Sequence, residues 1–237
     1  FESVLPFNPN YDNFKKSNEN VTHTEDNFFI GTDEESEKYD TIGMIGEGNT
    51  SVVYKLIDKK TMKPICKKVL KGEKATFKDV QNAFKEFEIL HSLNHQCICR
   101  AIAINTQEEL EEGMTTISIL IEFVDFKLKD FLASGLVSST LKTRIIVEIV
   151  HAMRYIHSKD LIYRDLKIDN IMLNSIFQTK MIDFGLVKMN ELLFGEELMN
   201  TYAMTKGVGD ALFMSPEMLN DDDDYDNKTD VYSFGIV

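Results

Sequence analysis

A chain of 237 residues with 43% apolar side chains is long enough to bury a sizeable core, in one large domain or two small lobes. Its net charge of −13, from 39 acidic against 26 basic residues, argues against nucleic acid or an anionic membrane as a default partner. No apolar run approaches the length of a membrane span, and no basic-then-apolar leader opens the sequence.

Taken in chain order, residues 1–36 are rich in Asn, Asp, Glu and Ser with isolated Phe and no sustained period, the composition of a disordered or linker extension. Strands are expected where β-branched and apolar residues cluster, at Tyr39–Ile45, Val52–Ile57, Ile65–Leu70 and Ile117–Phe123. Val80, Phe84, Phe87 and Leu90 recur at helical spacing, with Thr76 and Asp79 ahead of them as a cap. Leu141, Ile145, Ile149, Met153 and Ile156 announce a second helix, capped by Ser138 or Ser139. The order is a small strand-rich lobe with one helix, a short connector, then a helical lobe, an α+β arrangement. The odd, sparse set Cys66, Cys97 and Cys99 has no metal-ligand spacing and fits a reducing, cytoplasmic setting better than a disulfide scaffold. The acidic clusters at Glu34, Glu35 and Glu37 and at Asp221–Asp224 read as solvated loops, or as a surface favouring basic peptides.

Several short segments carry chemistry. Ile45-Gly46-Glu47-Gly48-Asn49-Thr50-Ser51-Val52-Val53 lies between two expected strands, and its glycines let backbone N–H groups approach a phosphate. Lys67 and Lys68 adjoin on the third strand, where side chains alternate faces, so only one can point inward. Leu161-Ile162-Tyr163-Arg164-Asp165-Leu166-Lys167-Ile168-Asp169-Asn170 is followed at Asp183-Phe184-Gly185 by a second acidic turn. One aspartate there can deprotonate a hydroxyl, and an asparagine with a second aspartate can hold Mg²⁺ through hard oxygen ligands.

The run Asp-Leu-Lys, two residues, then Asn, with Asp-Phe-Gly thirteen residues beyond that Asn, resembles the catalytic core of eukaryotic protein kinases. The resemblance covers about residues 37 to 237. It implies a two-lobed α+β kinase fold with an N-lobe over 37–123, a hinge over 124–127 and part of the C-lobe over 128–237. Because family members continue beyond the helix that starts at Asp230, the expectation is a fragment of a longer product, truncated in its large lobe. ATP and Mg²⁺ are implied as cosubstrate and cofactor. By the match, Ile45, Gly46, Gly48 and Val53 form the lid over ATP, although Ser51 replaces the usual third glycine. Cys66 takes the small-residue position against adenine. Lys68 pairs the α- and β-phosphates, with Lys67 as the register-shifted alternative, and Glu86 is its partner on the helix. The Glu122 carbonyl and Val124 N–H meet adenine, with Ile121 behind. Asp165 becomes the base, Lys167 neutralises the transferred phosphoryl group, and Asn170 and Asp183 coordinate Mg²⁺.

Lys167, two residues after the base, looks like the serine/threonine type, so the implied partner is a protein with a Ser or Thr acceptor. Arg164 resembles the arginine that pairs with an activation-loop phosphate; Thr201, Tyr202 and Thr205 are nearby acceptors, Thr205 preferred, phosphorylated by itself or by an activating kinase. Ser215-Pro216-Glu217 resembles the Ala-Pro-Glu that closes the activation segment. Two departures matter. Tyr163 stands where the family usually has His, and Asp210 where such kinases carry a Thr, an extra anion able to draw Lys167 away from Asp165. The alternative is therefore a nucleotide-binding pseudokinase or scaffold. Subgroup stays open, since Tyr163 to Lys167 resembles one branch and Asp230 to Val237 the tyrosine-kinase-like one.

Overall fold

The structure is a computed structural model that describes residues 28–48, 51–70, 77–109, 114–135, 137–189, 210–220 and 225–237. Its small lobe is an antiparallel sheet in the order β1-β2-β3-β5-β4, from β1 (Tyr39–Glu47), β2 (Ser51–Asp58), β3 (Pro64–Leu70), β4 (Ala101–Glu109) and β5 (Met114–Glu122). β3 lies at the centre, pairing Val53 with Lys68 on one side and Lys68 with Ile119 on the other. A helix, α2 (Phe77–Ser92), packs its buried Ala83, Phe87 and Leu90 toward this sheet, a stripe at helical spacing. β1 carries register shifts between Thr41 and Gly43 and between Met44 and Gly46, where bulges curl it into the glycine-bearing turn.

The four expected strands and the first expected helix are present. β4 was not anticipated. Thr76, named as a cap, lies outside the described residues. Residues 1–27 do too, but residues 28–36, assigned above to the extension, pack on the lobe. Phe29 bridges Ile104 in parallel, and Ile30 is buried. A short helix, α1 (Thr32–Lys38), follows and buries Glu35.

The lobes meet through the segment after α2: the Cys99 N–H donates to the Met181 carbonyl at 2.8 Å and the Met181 N–H to the Cys97 carbonyl at 2.8 Å. β6 (Phe126–Lys127), within the expected hinge, already pairs with β8 (Ile171–Leu173) of the large lobe, and β8 with β9 (Thr179–Met181). α3 (Leu128–Ala133) follows, then α4 (Ser139–His157), whose first turn is capped by Ser138 Oγ accepting from the Leu141 N–H at 3.2 Å. α4 buries Ile145, Ile149, Ala152, Met153 and Ile156. β7 (Leu161–Ile162) pairs with β10 (Lys188–Met189), bracketing the catalytic-loop sequence and the Asp-Phe-Gly turn between them. α5 (Pro216–Leu219) starts on a proline, which loses nothing there because the first helical N–H has no intrahelical acceptor. α6 (Lys228–Ile236) ends the chain. The result is the two-lobed α+β fold expected, with a core running from Phe87 and Leu90 through Tyr163 and Phe184 to Ile149 and Ile156.

Candidate active site

A cleft of about 790 Å³ opens between the lobes. Ile45, Gly46, Gly48, Val53, Cys66, Lys68, Glu86, Ile121, Glu122, Val124 and Asp183 all line it. Strand alternation decides between the two lysines. Lys68 points into the cleft, its ammonium 2.6 Å from Glu86 Oε1 and 3.2 Å from Asp183 Oδ1. Lys67 points to the other face and pairs with Glu35. Burial alone would lower the Lys68 pKa, but the two carboxylates outweigh it and push it up. Glu86 is raised by burial despite the ammonium beside it. Asp183 ends up lowered: burial works against its charge, but Lys68 and the Gly185 N–H overcome it. The carboxylate best held in its charged form is thus the one most open to solvent, with 46% side-chain exposure.

The hinge groups rest against sulfur. The Glu122 carbonyl accepts from Cys99 Sγ at 3.7 Å, and the Val124 N–H lies near enough to the Cys66 thiol to oppose, in part, the rise that burial gives its pKa. A thiol is a weak hydrogen-bond partner, so both backbone groups stay exchangeable for a ligand. The Glu122 carboxylate points elsewhere, to Lys180 at 2.7 Å and the Arg100 N–H at 2.9 Å. Burial pushes the Cys66 thiol up to about 11, so it is an apolar wall more than a nucleophile. Leu90, Cys99 and Met172 are among the further lining residues and were not foreseen. Their signal is weak, since apolar residues on strands and helices are ordinarily just core.

Asp165, Lys167 and Asn170 gather on the large-lobe side. Lys167 Nζ reaches both Asp165 oxygens, at 2.9 and 2.8 Å, and Asn170 Nδ2 donates to Asp165 Oδ2 at 2.6 Å and to its carbonyl at 2.9 Å. A 3-10 turn over Ile168–Asn170 brings Asn170 back to the aspartate, and the Asn170 carbonyl then accepts from the Ile182 N–H at 3.0 Å. That bond ties the loop to the residue preceding Asp183. Burial raises the Asp165 pKa, with Lys167 and Asn170 opposing.

The loop itself is anchored from below. Asp230, 1% exposed, accepts from the Tyr163 N–H at 2.9 Å and the Arg164 N–H at 2.8 Å, and pairs with His157 Nε2 at 2.8 Å. Tyr163, fully buried, packs edge-on against Phe184 with centroids 5.1 Å apart and donates its hydroxyl to the Ile182 carbonyl. Tyrosine in place of histidine thus still links the loop to the Asp-Phe-Gly turn. Arg164, at a φ of +69°, gives Nε to the Leu186 carbonyl at 2.5 Å and an Nη to the Tyr225 hydroxyl at 2.8 Å. Thr201, Tyr202 and Thr205 lie outside the described residues. Asp210 is exposed and turns its carboxylate to the Leu212 N–H at 3.1 Å, leaving the Lys167 ammonium on Asp165.

The donor set suits Mg²⁺. Asp183 offers an open, charge-stabilised carboxylate, and Asn170, with its Nδ2 committed to Asp165, offers its Oδ1. Among the described residues no group of three or more His, Cys, Asp and Glu gathers as an all-protein cage. Mg²⁺ is usually held in this way, by one or two carboxylates with phosphate and water completing the shell.

The profile of the protein kinase domain matches residues 39–237. The chain belongs to the protein kinase family. This kinase domain is 28% identical over 201 residues to "Serine/threonine-protein kinase fused" of Drosophila melanogaster, covering 84% of the chain and 23% of that protein. It is 30% identical over 212 residues to "Serine/threonine-protein kinase 33" of Mus musculus, covering 85% of the chain and 41% of the relative. "Extracellular signal-regulated kinase 2" of Dictyostelium discoideum is 26% identical over 201 residues, or 84% of the chain and 53% of the relative. The kinase domain therefore spans about half or less of the length of these relatives. None of its described helices is long and apolar enough to cross a membrane.

Proposed function

We propose that the chain catalyses transfer of the γ-phosphoryl group of MgATP to serine or threonine hydroxyls of protein substrates. The observation that carries this is the double ion pair of Lys68 with Glu86 and Asp183 inside the cleft. It fastens a phosphate-binding ammonium to the helix of one lobe and to the acidic turn of the other.

In this mechanism Lys68 clamps the α- and β-phosphates and the glycine turn covers them. The Glu122 carbonyl and Val124 N–H exchange their thiol neighbours for adenine. Asp183 and Asn170 would hold Mg²⁺, which would supply positive charge to the phosphates. Asp165 exchanges Lys167 for the substrate hydroxyl, aligns its oxygen and takes up its proton as the new P–O bond forms and the bond to the β-phosphate oxygen breaks. Lys167, released from the carboxylate, compensates charge on the moving phosphoryl group. Asp210 supports the active reading over the nucleotide-binding scaffold, because its carboxylate closes a local turn and does not hold Lys167. Serine/threonine selectivity rests on Lys167 two residues after Asp165, and on relatives named for that activity. Thr205 is proposed as the activating site, phosphorylated by the kinase itself or by another. A phosphate there would compete with Tyr225 for the Arg164 guanidinium. Three buried, unbridged cysteines support a cytoplasmic setting.

The test is labelled phosphate transfer from MgATP to a generic basic protein and to the chain itself, comparing the protein with its Asp165→Asn variant. Transfer that vanishes in the variant is expected. A folded protein that binds MgATP and transfers nothing overturns the proposal in favour of a nucleotide-binding role.

A further inference from the structure

Residues 28–38 precede the segment that matches the kinase family, yet they grip both bodies whose relative position sets the Lys68–Glu86 distance. On the sheet, the Ile104 N–H donates to the Phe28 carbonyl at 2.8 Å and the Ile30 N–H to the Ile104 carbonyl at 3.1 Å, an added half-strand along the outer edge of β4. Further on, buried Glu35 pairs with Lys67 and accepts from Asn105 Nδ2 at 2.6 Å, and Lys59 Nζ reaches the Ser36 carbonyl at 2.8 Å. β3 therefore carries adjacent lysines bonded in opposite directions, Lys68 to α2 and Lys67 to α1.

On the helix, the same segment presents two aromatic rings. Phe28 lies 3.9 Å from the His91 ring and 6.3 Å from Phe87, and Phe29 lies 5.9 Å from Phe84, centroid to centroid. Phe84, Phe87 and His91 fall at i, i+3 and i+7, one face of α2, and Phe87 stacks on His91 at 5.4 Å. Glu86 precedes Phe87 on the same rigid helix and projects into the cleft, about 100° round from that ring. A rigid-body shift of α2 away from the sheet works against these ring contacts as well as the ion pair, and interfaces packed this way switch between discrete arrangements.

We propose that residues 28–38 form a strap whose Phe28 and Phe29 are positioning residues for α2, holding Glu86 at Lys68 from outside the family-matched domain. This rests on the MgATP-kinase reading only where Glu86 is taken to serve phosphate binding; the strap's hold on α2 stands apart from it. Any partner or modification that lifted residues 28–38 would lower nucleotide affinity without touching the cleft.

The experiment uses the full chain with Phe28→Ala/Phe29→Ala, the milder Phe28→Leu/Phe29→Leu, and each pair combined with Glu86→Gln. Hydrogen exchange is read separately in α2 and α4, and KM for MgATP is read against kcat. The alanine pair is expected to speed exchange in α2 about tenfold while α4 keeps its protection. It should also raise KM about tenfold, a magnitude usual for coupled sites. The leucine pair should fall between it and the parent in both. In the Glu86→Gln background the strap substitutions should add nothing to KM, since they act through that carboxylate. Unchanged α2 exchange overturns the strap, as does equal loss of protection in α4 or a full additive effect on KM beside Glu86→Gln. Should the alanine pair not fold, the leucine pair decides by the same criteria. A parent chain that transfers no phosphate counts against the kinase reading alone, because α2 exchange still reports the strap.

Discussion

Glu86→Gln isolates one charge of the cleft. Glutamine keeps the volume and the acceptor oxygen beside Lys68 and removes only the anion. At 2.6 Å, with an effective dielectric near 20, the pair's gross attraction is about 6 kcal/mol, and Asp183 at 3.2 Å contributes about 5 before any discount. The Asp183 share is reduced further by solvent screening, since that side chain is 46% exposed. The ammonium in the variant still has a partner, so the fold loses about 1 kcal/mol, well under the 3–5 kcal/mol for stranding a buried charge. Catalysis suffers more, because the lysine is drawn toward Asp183, the carboxylate proposed to hold Mg²⁺. Losing the charge-assisted part of one hydrogen bond, about 1–1.5 kcal/mol, lowers kcat/KM about 5- to 13-fold. Lys68→Met is the contrast, leaving Glu86 and Asp183 both without their cation at a stability cost of about 3–5 kcal/mol. Steady-state transfer at varied MgATP and urea unfolding of both variants measure this. A Glu86→Gln enzyme within twofold of the parent in kcat/KM, or as unstable as Lys68→Met, would refute the reasoning.

Three further outcomes follow from the loop. Burial raises the Asp165 pKa, so this acid takes its proton at higher pH than an exposed aspartate and transfer fails correspondingly early on acidification. Lys167→Met removes an influence that holds that pKa down, so the acid limb of the kcat/KM profile should move to higher pH; a limb that stays or moves lower contradicts the assignment. Asp230→Asn leaves at least one of the buried donors from Tyr163, Arg164 and His157 without an acceptor, costing about 1–3 kcal/mol. Calorimetry should find Tm lower by about 2–4 °C for each kcal/mol, and an unshifted Tm speaks against the anchor. Tyr163→Phe strips the hydroxyl from the part-buried Ile182 carbonyl, with an expected loss of about 1 kcal/mol in denaturant unfolding; a midpoint matching the parent denies that bond a role.

Much of the candidate site's geometry could be read from residue spacing, because the residues proposed for the chemistry sit on short segments whose local geometry is set nearby. Asp165, Lys167 and Asn170 lie within six residues, and one 3-10 turn assembles them. The choice between Lys67 and Lys68 could not be settled locally. Their partners Glu35 and Glu86 are 32 and 18 residues away, so only the folded sheet distinguishes the faces. β4 escaped notice because Ala101, Ala103, Asn105 and Gln107 are poor strand formers; it exists through the burial of Ala101, Ala103 and Ile104 and its pairing with β5. α3, at six residues, is too short to show a period. Residues 28–36 have no pattern of their own, since their contacts are to the backbone of β4, to rings on α2 and, through Glu35 and Ser36, to distant side chains. Asp210 looked like a competitor for Lys167, but a two-residue bond to the Leu212 N–H claims it first, as Asp in turns commonly does.

The half-strand beside β4 also bears on how this protein can be handled in solution. An antiparallel sheet has two borders, each a row of amide and carbonyl groups ready to recruit another chain. Here the β1 border is twisted by two bulges, and the β4 border is closed at Ile104 by Phe28 and Ile30. A chain trimmed to the family-matched start at Tyr39 would uncover that second border together with the aromatic face of α2. Such a shortened chain should self-associate where the longer one stays dispersed, so colloidal behaviour at the bench depends on eleven residues that precede the family-matched segment.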